Sequence, residues 1–383
     1  MRFEVSGIRY SEHTFKKKEI EILKSDWKSF SRKRNVYPSK SFSGRGIVYT
    51  AGGVSYITCA YVSITYLRRL GCDLPVEIWH RGNEIPEEIM DSFSSLNVEF
   101  RDFLELDGNL TGVMLKPLAI INSSFQEVLY LDADNNCVTD PSFLFDCAEY
   151  LCNGALFWPD YWRTDGKNPI WAITQTIANS DPEQESGQIL VDKRKCWNAL
   201  QLCLYFNKLS EFYYLILHGD KDTFKFAWLA TKTSFHMIRS DVASCGYLHA
   251  GEFHGTTMVQ YSPKGELLFL HRNLLKWDIT SDDERCWKQI KYLNHDFKDK
   301  KVILKPGPNG GLALDLQEDV TLEDCDQNIV AMEDECMSIL SYWRSTQGYQ
   351  DLFLYSHLSK NRFRHDVVFS LKGFRHYKTK SFM

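Results

Sequence analysis

The chain has 383 residues, 44% of them hydrophobic, enough for one large α/β domain with an appendage or for two modest domains. Lys and Arg number 45 against 50 Asp and Glu, a formal net charge of -5, so no global positive field draws the molecule to nucleic acid or to an anionic membrane. The eleven cysteines are odd in number and scattered, with no C-x-x-C pair and no Cys/His set at zinc spacing, which disfavours a disulfide framework and a structural zinc and fits a reducing compartment.

Residues 1–43 are polar and charged and lack a strong apolar period, so they are expected to form an arm with a short helix over about 17–30. Lys16, Lys17, Lys18, Arg32, Lys33 and Arg34 make this end basic, as Arg362, Arg364, Lys372, Arg375, Lys378 and Lys380 do the other; both stretches read as solvated faces. Charges recur too often over the first thirty residues for a signal peptide or membrane anchor, which implies a protein without a transmembrane segment, cytoplasmic as written. The triplets Asn109-Leu-Thr and Asn122-Ser-Ser would accept glycans only in a secretory lumen.

The core is expected to start at Gly44. A buried strand over 46–50, the break Ala51-Gly52-Gly53 and a helical period over 56–70 ending at Gly71 form a strand, glycine turn, helix unit. A second strand over 75–79, a helix over 86–96 and a short strand over 97–100 follow, and this alternation predicts a parallel sheet with helices on both faces. A helix over 116–124, with Pro117 in its first turn, leads into the apolar strand 127–131, which stops at Asp132-Ala-Asp134. Further on come a strand over 154–158, a mixed polar segment to about 180, a long helix over 193–209 and an apolar helix over 223–231. Beyond about 280 the pattern is less regular, with strand-like 302–305, a Pro/Gly-rich turn over 306–311 and a helix over 336–343.

Ligands of open α/β sheets bind beyond the carboxyl ends of strands, where the acidic triplet lies. Alternate residues of an ending strand point the same way, so Asp132 and Asp134 can face one small volume. Two adjacent carboxylates repel, and a hard divalent cation such as Mn2+ or Mg2+, shared with phosphate oxygens, relieves that repulsion. A bare D-x-D is more often a pair of solvent-facing loop acids; its place after an apolar strand favours the functional reading. Thr50-Ala-Gly-Gly53 would let a ligand approach the backbone, although a plain tight turn explains it as well, and it is neither G-x-G-x-x-G nor a Walker motif. Glu185-Ser-Gly-Gln188 and Gly219-Asp-Lys-Asp222 are polar loops bordering structured segments, with Asp222 equally readable as a helix cap. His271 ends the apolar run 267–270, where it could complete a metal shell or be structural. The aromatics Phe157-Trp158 and Tyr161-Trp162 suit a sugar face or a core, and core is the default.

Taken in order, eight segments resemble glycosyltransferase family 71, the fungal α-mannosyltransferases that extend cell-wall mannan, over about 46–276. They are Gly46-Ile-Val-Tyr-Thr-Ala-Gly-Gly53, Tyr61-Val-Ser-Ile-Thr-Tyr-Leu-Arg-Arg-Leu-Gly71, Leu129-Tyr-Leu-Asp-Ala-Asp-Asn135, Ala155-Leu-Phe-Trp-Pro-Asp-Tyr-Trp162, Glu185-Ser-Gly-Gln188, Gly219-Asp-Lys-Asp-Thr-Phe224, Gly255-Thr-Thr-Met258 and Leu270-His-Arg-Asn273. The resemblance implies a GT-A type nucleotide-sugar-binding sheet flanked by helices, a GDP-mannose donor, Mn2+ or Mg2+ on the D-x-D pair, a glycan or glycoprotein acceptor and transfer with retention of configuration. It also implies roles: Asp132 and Asp134 on the metal and the ribose or diphosphate, His271 as third protein ligand, and Thr50, Gly52 and Gly53 lining the nucleotide. Lys116 would meet the diphosphate or donor sugar, while Glu185, Gln188, Asp220 and Asp222 would hold sugar hydroxyls and acceptor and include the catalytic groups.

The resulting division is an arm at 1–43, a glycosyltransferase domain at 44–280 and a C-terminal extension at 281–383. Fungal members of the family usually carry a Golgi anchor, so the alternative location is the Golgi lumen if an anchor has been removed. Three rivals remain: a transferase using a UDP-sugar, a catalytically silent nucleotide-sugar-binding protein, and a sugar nucleotidyltransferase. The last is weakened because no basic residue follows Thr50-Ala-Gly-Gly53 until Arg68.

Overall fold

The computed structural model describes residues 1–33, 36–106, 114–294, 301–308 and 310–356. Asn109-Leu-Thr and the basic C-terminal residues lie outside them, as does Arg34.

Arg45–Thr50 lies inside a seven-stranded sheet, beside its middle strand, its central residues buried on both faces as an apolar parallel strand requires. The order is His236–Met237, Ala155–Pro159, Gln184–Asp192, Glu127–Asp132, Arg45–Thr50, Val76–His80, Val98–Asp102. Thr50 pairs with Asp132 and with Trp79, so three strands end together and present their carboxyl ends at one edge. One strand departs from the expected parallel sheet. Gln184–Asp192 runs antiparallel to both its neighbours, and no tight turn joins it to either, so its direction had no local signal. The order, with this single reversed strand, is that of a GT-A type sheet.

Alternation along the strands sends side chains to two cores. Ile47, Tyr49, Leu129 and Leu131 face Gly53–Arg69 and Gln327–Ser345, where Tyr61 stacks on Trp343 at 4.1 Å. Val48, Val128 and Tyr130 face Leu115–Asn122, Lys193–Lys208 and Lys221–Thr231. The polar stretch before 180 holds a further helix, Pro169–Thr174, capped by the Asn168 side chain.

Among the described residues, the segment beyond 280 is built into the fold. Gln289–Leu293 pairs with Ala243–His249 inside a second sheet that also holds Glu252–Tyr261, Lys301–Pro306, Leu312–Gln317 and Val320–Asp324. The boundary expected at 280 therefore cuts a sheet, and the helix after it, Gln327–Ser345, closes the first core. Pairing of distant strands leaves no trace in local composition.

The first 43 residues are not a free arm either. Lys17–Arg32 buries Leu23 and Trp27, Trp27 Nε1 donates to the Ile173 carbonyl at 2.7 Å, and Phe30 stacks on Tyr205. Ile20, Leu23, Trp27 and Phe30 in fact carry a narrow helical stripe, masked by the charges between them. Ahead of it, Ile8–Tyr10 joins Arg163–Thr164 in a small sheet and places the Arg9 side chain, wholly buried, against Asp222.

Candidate active site

Asp132 is the last residue of its strand and takes hydrogen bonds from Tyr130 Oη at 3.0 Å and Lys116 Nζ at 3.1 Å. Asp134 lies past the strand end, 3% exposed. His271 reaches it from the second sheet: the pairing of Leu267–His271 with Asn135–Cys137 sets His271 opposite Asn135 and its Nε2 3.1 Å from Asp134 Oδ1. Asp132 Oδ2 is 3.9 Å from the same nitrogen. Ligand atoms of Asp132, Asp134 and His271 all lie within 4.8 Å of one another, the one such group among the described residues.

The electrostatics keep Asp134 an ionised acceptor, while His271 must give up its proton before it can ligate an ion. Burial alone would raise the Asp134 pKa, but His271 and Lys276 beside it hold the carboxyl well below the usual range. Burial pulls His271 the other way, yet Asp134, Glu185 and Asp132 raise its pKa above that of a free imidazole. The donors fit Mn2+ or Mg2+, two carboxylates and one imidazole converging on a small volume. His271 Nδ1 is buried without a hydrogen-bond partner, and Gly187 admits the ring, since a Cβ there would sit 2.5 Å from Nδ1. Lys276, which contacts Asp134 Oδ2, would have to move aside for an ion.

These groups open on a cleft of about 640 Å³, a size suited to a small-molecule ligand. Thr50, Gly52, Lys116 and Asp220 line it along with the acid cluster. Thr50 Oγ1 is 2.7 Å from Tyr130 Oη, and Lys116 Nζ also bonds Ser186 through its carbonyl at 2.9 Å and its hydroxyl at 2.8 Å. Asp220 precedes Lys221–Thr231; burial, opposed by Lys116 and reinforced by Asp132 and Glu185, pushes its carboxyl up to about 6. Glu185 borders the group, with its Oε1 3.9 Å from His271 Nδ1 and its Oε2 3.5 Å from Lys221.

Three expected site residues are elsewhere. Asp222 is fully buried in an ion pair with Arg9 and accepts the His218 amide at 2.7 Å, so it holds the chain rather than a sugar. On a helix, Asp220 and Asp222 point in different directions, which the loop reading ignored. Gln188 is fully buried between Asn135, 2.7 Å away, and Gln260, because alternation on its strand turns it inward. Gly53 begins the Gly53–Arg69 helix with φ 63° and does not line the cleft. Conversely, Lys276, Tyr56, Trp79, Arg81, Glu84 and Phe103 line it without having been singled out. Only Lys276, five residues after His271, had a chemical signal, a cation near an anion site.

A parallel sheet with one reversed strand and an acid cluster at its carboxyl edge defines a GT-A type architecture. The family model described as "Mannosyltransferase putative" matches residues 44–183 and 172–262, more than half of the chain, and the chain belongs to that family. It is similar to Alpha-1,2-mannosyltransferase MNN22 of Candida albicans, 28% identical over 66% of this chain and 53% of that protein. Alpha-1,2-mannosyltransferase MNN5 of Saccharomyces cerevisiae is 25% identical over 57% and 49%. The chain spans about half the length of the curated relatives it matches. Among solved structures, the mannosyltransferase Ktr4p from S. cerevisiae in complex with GDP covers 63% of this chain and 82% of its own at 14% identity and TM-score 0.36. The galactosyltransferase LgtC with donor and acceptor sugar analogs covers 47% and 69% at 16% and 0.36. Neither carries a residue correspondence. Among the described residues no helix is long and apolar enough to cross a membrane.

Proposed function

We propose that this chain transfers an α-mannosyl residue, with retention, from GDP-mannose to a hydroxyl of a glycan, and that Mn2+ or Mg2+ assists. The carrying observation is the convergence of Asp132, Asp134 and His271 within 4.8 Å at the rim of a cleft bracketed by Lys116 and Lys276. Membership of the mannosyltransferase family and relatives named alpha-1,2-mannosyltransferases support the sugar.

Asp132, Asp134 and His271 would hold the ion, which when bound neutralises charge building on the departing diphosphate. Lys116 and Lys276 are cations on either side of that charge, and in a cleft screened from water each is worth more than in solution. The sugar left behind gains oxocarbenium character, which a carboxylate stabilises. Asp220, which lines the cleft, and Glu185, beside His271, are the carboxylates offered for this role. Asp220, with its pKa raised to about 6, is poised to hold or release a proton near neutral pH.

A panel of GDP- and UDP-sugars offered with Mn2+ and an α-mannoside acceptor tests the reading. Turnover of GDP-mannose with a mannosylated product is expected; turnover of a UDP-sugar instead would remove the mannosyl assignment.

A further inference from the structure

The cleft extends away from the acid cluster across the ends of two neighbouring strands, about 10 Å, to the turn that follows Val76–His80. Its walls change character there. Trp79, Phe103 and Leu115 offer apolar surface, and two charged side chains, Arg81 and Glu84, stand at the rim. Neither the Arg81 guanidinium nor the Glu84 carboxylate has a hydrogen-bond or ion-pair partner among the described residues.

Glu84 is exposed at the cleft rim, and two features fix where it stands. The turn carrying it is pinned: Asp102 Oδ1 accepts the Gly82 and Leu104 amides, both at 2.8 Å, and His80 Nδ1 lies 3.0 Å from the Gly82 carbonyl. The carboxylate also rests directly over Gly52, where a Cβ would come within 2.1 Å of Oε2, so any larger residue there would push the end of the Glu84 side chain aside. Gly52 has an extended backbone, φ -156°, which any residue could adopt; its smallness serves the contact, not the conformation.

We propose that Glu84 reads the guanine of the donor nucleotide, with Arg81 supporting it from the other edge of the base. The proposal rests on the nucleotide-sugar reading above and names the group that selects the base. Guanine presents two adjacent donors, N1–H and the N2 amino group, and a carboxylate accepts both at once. Its O6 and N7 are acceptors, which a guanidinium matches in bidentate fashion. Uracil presents one N–H between two carbonyl oxygens, so one Glu84 oxygen would face an acceptor and stay unpaired by the base. Glu84 thus attracts the right base and repels the wrong one.

Calorimetric titration with Mn2+ present, using GDP, inosine diphosphate and UDP, tests this. Inosine diphosphate lacks only the N2 amino group. The native protein should bind GDP about tenfold or more tightly than inosine diphosphate, the scale of one hydrogen bond to a charged group. In Glu84→Ala that ratio should fall close to one, with UDP binding unchanged or improved. Arg81→Ala should weaken GDP and inosine diphosphate equally and keep their ratio. Gly52→Ala should displace Glu84 and lower the ratio with the fold intact, so a misfolded Glu84 variant would not shelter the idea. An unchanged ratio in both Glu84→Ala and Gly52→Ala would overturn the assignment while leaving the donor reading standing. Preference of the native protein for UDP, or failure to bind any of the three, would overturn the donor reading and this proposal together.

Discussion

Arg9→Met is the sharpest probe of how the N-terminal segment is built in. The guanidinium and the Asp222 carboxylate are both withdrawn from solvent and paired, with Thr164 Oγ1 a weaker partner of Arg9 at 3.4 Å. Methionine keeps much of the length of the side chain but leaves Asp222 as a buried charge without its counterion, a loss of about 3–5 kcal/mol. At about 2.1 cal/mol/K of unfolding entropy per residue, a chain of 383 residues shifts by roughly 1.2 °C per kcal/mol, so the melting temperature should fall by about 4–6 °C. Differential scanning calorimetry reads this directly. Pairing Arg9→Met with Asp222→Leu should recover much of the loss, because two apolar groups leave no orphaned charge. If Arg9→Met melts within about 1 °C of the native protein, the segment is not integral to the fold and the buried pair is not holding it.

Two further predictions concern groups inside the core. Burial pushes the Lys193 ammonium down to about 7, so between that value and about 10.4 the unfolded chain carries a proton the folded one has released; stability must rise with pH across this window. Urea unfolding of the native protein and Lys193→Met at pH 7.5 and 9 should show the stability difference moving in favour of the native protein by up to about 1.4 kcal/mol per pH unit; a difference independent of pH would refute the shift. Gln188→Leu should cost about 1–3 kcal/mol, by leaving Gln260 Oε1 unpaired, yet keep GDP affinity within about threefold. A large loss of affinity at unchanged stability would return Gln188 to the binding site.

What could be read from residues alone follows the physics of locality. The strand ending at Asp132 and the helix after Gly52 announce themselves by period and punctuation, and so the acid pair could be placed on a strand end before any coordinates. His271 was within reach for the same reason, since it too closes an apolar run. The reversed strand Gln184–Asp192 and the second sheet across residue 280 depend on pairings between distant segments, which no local window contains. Side-chain direction was the other blind spot. Gln188 and Asp222 sit in the same short polar stretches as Glu185 and Asp220, but each points into the core, and only the backbone decides that. Arg81 and Glu84 were overlooked because an isolated charge in a turn has no pattern to distinguish it from a solvated one.

The central claim is that Asp134, with Asp132 and His271, holds a divalent ion against the donor's diphosphate. Asp134→Asn keeps the shape of the side chain and removes its charge, so initial rates of mannosyl transfer from GDP-mannose in Mn2+ test it most directly. A fall of about a hundredfold or more is expected, the scale on which a preorganised charge partner acts in a transition state. Transfer at the native rate by Asp134→Asn would contradict the account.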